Sequence, residues 1–107
     1  MAHGIIATVP APIEMYTAVN AQVMEKMGGE RAPDGLLAHI ARKTADGFQV
    51  IEVWESKQQS DKFQDDVLAP IIDQVSGGQA PDRADVTEEF EVENFFVGPG
   101  ATAASSA

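Results

Sequence analysis

The chain has 107 residues, enough for one domain, and folding a chain of this size buries roughly two-thirds of the surface exposed when unfolded. Apolar residues make up 44%, which excludes disorder by composition, and seventeen Asp and Glu against seven Lys and Arg leave a net charge of −10. That balance repels a phosphate backbone, so nucleic acid is not an expected partner, and the lack of cysteine removes disulfides, thiolate catalysis and Cys-ligated metals. The first apolar run, Ile5 to Val9, is too short for a signal peptide, and no stretch approaches the ~20 apolar residues of a membrane helix. A cytoplasmic protein with no membrane partner is the expectation.

Gly4 to Val9 predicts a first strand, stopped by Pro10-Ala-Pro12, with Pro12 suited to the first turn of a helix. Ile13, Tyr16, Asn20, Val23, Met24 and Met27 then share one helical face, and Gly28-Gly29 ends the helix. Leu36 to Lys43 and Phe48 to Trp54 read as a hairpin closed by Thr44-Ala-Asp-Gly47. Ser56-Lys-Gln-Gln59 matches a capping box opening a second helix, which turns Phe63, Val67 and Leu68 inward. Pro70 predicts a kink or break, with Ile71 to Val75 as a separate turn. Val86 to Val97 alternates as a last strand, and the domain is expected over residues 1–97, with 98–107 as a Gly, Ala and Ser tail.

Strand, helix, strand, strand, helix, strand is the order of an α+β, ferredoxin-like βαββαβ fold. Right-handed crossovers predict an antiparallel sheet in the order 4-1-3-2, with both helices on one face. With Lys43 opposite Phe48, the hairpin pairs Ala41 with Val50, His39 with Glu52 and Leu37 with Trp54. Leu36, Ala38, Ile40, Ile51 and Val53 then form a uniformly apolar face, expected under the helices. Leu37, His39, Ala41, Val50, Glu52 and Trp54 form the other face, too apolar to stand in water. A two-fold homodimer packed through that face is the expectation.

The segment Phe48-Gln-Val-Ile-Glu-Val-Trp-Glu-Ser56, followed by Lys57 to Phe63 and Val67-Leu-Ala-Pro70, resembles the dimeric α/β-barrel superfamily, in particular its antibiotic-biosynthesis-monooxygenase group. The resemblance implies a dimeric α/β barrel. It also implies a cofactor-free monooxygenase or cyclase acting on a small aromatic or polyketide-like molecule between the first helix and the sheet. Haem-degrading relatives carry a ligating histidine on the second helix, and Lys57 to Val75 holds none, so haem is not expected. Metal or other cofactor is not expected either.

His39 and Glu52 are the candidate catalytic pair, because a carboxylate opposite an imidazole fixes the tautomer of a general base. The plainer reading is a cross-strand polar pair within an interface. Tyr16 and Asn20, one turn apart on the first helix, stand where the resemblance puts substrate contacts: Asn20 to hold an oxyanion, Tyr16 to orient a ring. Trp54 and Phe63 complete the candidate substrate-binding set, Trp54 by stacking on an aromatic ring. Each has a structural explanation as well. Two classes therefore stay open: an enzyme, or a non-catalytic homodimer that binds a small ligand or has a purely structural role.

Overall fold

The computed structural model describes residues 2–28, 33–77 and 87–99. Strand β1 (His3–Val9) leads into helix α1 (Ile13–Lys26), then the hairpin β2 (Leu36–Lys43) and β3 (Phe48–Trp54). Helix α2 (Lys57–Phe63), a π-helical turn (Gln64–Leu68) and helix α3 (Ala69–Ser76) follow, and β4 (Thr87–Glu91) closes the sheet. The strands pair antiparallel in the order β2-β3-β1-β4, the 4-1-3-2 order expected, so the hairpin joins β1 through β3 and leaves β2 at the edge. No helix among the described residues is long and apolar enough to cross a membrane.

Local chemistry explains most of the boundaries. The Ser56 hydroxyl accepts from the Gln59 backbone N–H at 3.2 Å, so the expected cap opens α2. Gly77 closes α3 in the left-handed conformation at φ +68°. Gly47 lets the hairpin turn pass against the end of β1, since a Cβ there would strike the Val9 carbonyl oxygen.

Four expectations need correction. Pro70 does not break the helix: it sits in the first turn of α3, and the π turn before it carries the chain through in helical dihedrals. Widening to i→i−5 bonding, seen from Ala69 N–H to Gln64 carbonyl, eases the clash a proline ring makes with the preceding turn. Strand β4 ends at Glu91, not Val97: after the bond from Val92 N–H to the Ala2 carbonyl, no further pairing follows among the described residues. Val86, Gly29 and residues 100–107 of the expected tail lie outside the described residues.

The third correction is a β-bulge between Leu36 and Ala38, which places Leu36, rather than Leu37, opposite Trp54. The fourth is larger. The helices cover the face that carries Leu36, His39, Phe48, Val50, Glu52 and Trp54, together with Ile5, Ala7 and Val9. Ala38, Ile40, Ile51 and Val53, expected inside, belong instead to the face turned away, beside Ile6 and Phe90. The buried face holds the larger rings, and two of its polar groups, His39 and Glu52, bond to each other, so covering it leaves neither of them unpaired. Trp54, Phe48, Ile5, Val19 and Ile71 form the core.

Candidate active site

A cavity of about 380 Å3 lies between α1, the inner face of the sheet and the π turn. Its wall is largely apolar: Ile5, Ala7 and Val9 from β1, Val19 and Val23 from α1, Phe48 and Val50 from β3, and Leu68 and Ile72 from the second helical stretch. The lining residues with most exposure, Asn20, Met24 and His39, mark its opening along the gap between α1 and the edge strand β2.

Polar groups enter this wall as a chain. The register sets His39 opposite Glu52, and the imidazole Nδ1 lies 2.7 Å from Glu52 Oε2. On the other side of the ring, Nε2 lies 2.7 Å from the Tyr16 hydroxyl of α1, whose ring runs nearly parallel to the imidazole. Glu52 Oε1 accepts the indole N–H of Trp54 at 3.1 Å. Glu52 is the more enclosed partner, with a side chain 14% exposed against 32% for His39. Burial, and secondarily the Glu52 charge, raise the Tyr16 hydroxyl above the ordinary tyrosine range.

Five of the six candidate residues therefore meet at this cavity as lining groups: His39, Glu52, Tyr16, Asn20 and Phe63. His39 and Glu52 do so from the inner face of the sheet, where the sequence placed them on the outer one. Trp54 is fully buried, packs against the Phe63 ring at 5.5 Å and stands behind the wall. It holds Glu52 in place and offers no open face for stacking. The Asn20 side chain makes no hydrogen bond among the described residues.

Leu36, expected under the helices, does reach the wall, but through a bulge between Leu36 and Ala38 that no residue pattern announces at two adjacent leucines. Thr87, which escaped the sequence reading as a lining group, opens β4 with a buried hydroxyl that has no hydrogen-bond partner among the described residues. An unpaired buried hydroxyl costs about 1–3 kcal/mol, which a polar ligand atom would recover. Its position at the start of the strand gave no signal.

No protein-family model matches the sequence, and no curated protein matches it. Solved structures do. A proposed antibiotic biosynthesis monooxygenase from Chloroflexus aurantiacus superposes with a TM-score of 0.56 at 21% identity, over 92% of this chain and 100% of its own. Rv0793 from Mycobacterium tuberculosis gives 0.54 at 16% identity, over 89% and 98% of the two chains. NE2512, a protein of unknown function from Nitrosomonas europaea, gives 0.57 at 14% identity, over 92% and 94%. The fold is thus the ferredoxin-like α+β fold that these solved structures share.

Proposed function

We propose that the cavity binds a small aromatic or polyketide-like molecule and that the His39–Glu52 pair deprotonates it for cofactor-free oxygenation. One observation carries this reading: a carboxylate-oriented imidazole stands on the wall of a largely apolar cavity of about 380 Å3. Cavities of roughly 300–1,000 Å3 suit small ligands, and a few placed polar groups fix their orientation. In such a reaction a phenol or its keto tautomer loses a proton, and the electron-rich anion reduces dioxygen. One oxygen atom becomes a quinone oxygen and the other leaves as water. Asn20, near the opening, and Phe63, on the opposite wall, would contact the substrate. Air-saturated incubation with hydroxyanthracene-type phenols tests the reading: quinone formation with oxygen uptake supports it, and neither turnover nor a melting shift across a broad aromatic panel overturns it.

A second reading, a non-catalytic binding protein, draws on the fact that both imidazole nitrogens and both Glu52 oxygens already have partners within the chain. It expects a melting shift with apolar ligands and no product.

Both readings are compatible with a homodimer, which we propose packs through the uncovered sheet face. Ile40 there is 56% exposed, and Phe90, whose ring covers Gly4, is 37% exposed. The occupant is a second copy because the face is self-complementary. Arg42 stands at the β2 edge and Glu88 at the β4 edge, and a two-fold axis along the strands lays each edge over the other.

A further inference from the structure

Neither nitrogen of the His39 ring faces an empty site. Nδ1 meets Glu52 Oε2 at 2.7 Å, and Nε2 meets the Tyr16 hydroxyl at 2.7 Å. An ionised carboxylate only accepts, so the ring proton sits on Nδ1 and donates to Glu52. Nε2 is then the acceptor, and the Tyr16 O–H donates to it. His39 has no lone pair left for a substrate, and what lies next to Nε2 along the cavity wall is the Tyr16 oxygen.

We infer that Tyr16 is a catalytic residue, the cavity-side end of a Tyr16–His39–Glu52 relay that carries the proton away from a substrate hydroxyl. The inference deepens the proposed function and rests on it. The step moves two protons and no net electrons. The substrate O–H bond breaks as a new Tyr16 O–H bond forms, and the original Tyr16 proton passes to Nε2. The products are a substrate oxyanion, a neutral Tyr16 that donates to it, and an imidazolium held against the Glu52 carboxylate. Tyr16 never carries a full charge, which suits a hydroxyl whose surroundings disfavour its anion. Trp54 keeps the far carboxylate oxygen bonded, so that Glu52 presents Oε2 to the ring throughout.

The probe is 2-naphthol, whose absorbance shifts when its hydroxyl ionises. Wild-type protein is expected to bind it with a substantial naphtholate fraction. Tyr16→Phe keeps the ring and is expected to bind within about threefold of wild type while losing that fraction at least tenfold; His39→Gln is expected to lose it as well. Equal ionisation in Tyr16→Phe means that His39 takes the proton directly, and survival in His39→Gln puts the base elsewhere; either result overturns the relay and leaves the binding cavity standing. Absence of naphthol binding to wild type overturns the functional reading itself, and the relay with it. Long-range 15N NMR of the ligand-free wild type must show the Nδ1-protonated tautomer of His39, and the opposite tautomer overturns the relay whether or not the variants fold.

Discussion

The indole N–H of Trp54 donates to Glu52 Oε1 at 3.1 Å, from a ring that solvent does not reach. The two residues are two apart in sequence and so share a strand face, and the strand itself delivers the donor to the carboxylate. Packing against Phe63 fixes the indole, and the indole fixes the carboxylate. Trp54→Phe retains most of the packing and removes the donor. It is expected to cost about 1–3 kcal/mol of stability, visible as a lower urea midpoint at unchanged slope.

Glu52→Gln should act on chemistry more than on folding. A glutamine amide can donate to Nδ1, and the imidazole proton would then move to Nε2, where it can no longer accept from Tyr16. Turnover is expected to fall about 10²–10⁴-fold while the circular dichroism spectrum stays that of the wild type. Steady-state oxygen uptake beside ligand-binding titrations checks this, since binding should be nearly preserved.

The raised Tyr16 hydroxyl sets the sign of an alkaline effect. Its folded value lies above the ordinary 10.0, so between those two values the folded state holds a proton that the unfolded state has released. This contribution is fully present below about pH 10 and is lost as the pH rises toward the folded value. Urea unfolding from pH 8 to 11 should therefore show wild type losing stability faster than Tyr16→Phe above pH 10.

On the uncovered sheet face, Ile40→Lys puts a charge on the edge-strand side of the apolar patch, directly across from Ile51. The variant is expected to sediment as a monomer at concentrations where wild type sediments as a dimer. Its melting temperature should lose the dependence on protein concentration that an associating wild type shows.

How much of this could be read from the residues depends on the kind of information each feature needs. The Ser56 cap and the Thr44–Gly47 turn are local signals, and the hairpin register from Lys43–Phe48 to His39–Glu52 follows from them. Which side of the sheet the helices cover is not local. Both faces of β2 and β3 are apolar enough to be buried, and periodicity treats them alike. What decides between them is the fit of Tyr16 against His39 and Phe63 against Trp54, contacts between elements far apart in sequence. The reading that buries Ile40 and Ile51 pairs His39 with Glu52 but leaves the pair on the outer face, although a pair that satisfies itself can be covered. The π turn before Pro70 was illegible for a related reason, because a proline announces a disturbed helix without saying how the backbone absorbs it.

The central claim is that the space beside His39 is a binding site for a small, mostly apolar molecule. Isothermal titration calorimetry of wild type with 2-naphthol at several temperatures tests it most directly. The account predicts one site per chain, a dissociation constant tighter than about 100 μM, and a negative heat-capacity change from burial of the rings. Heats indistinguishable from dilution up to the solubility limit of the ligand would contradict it.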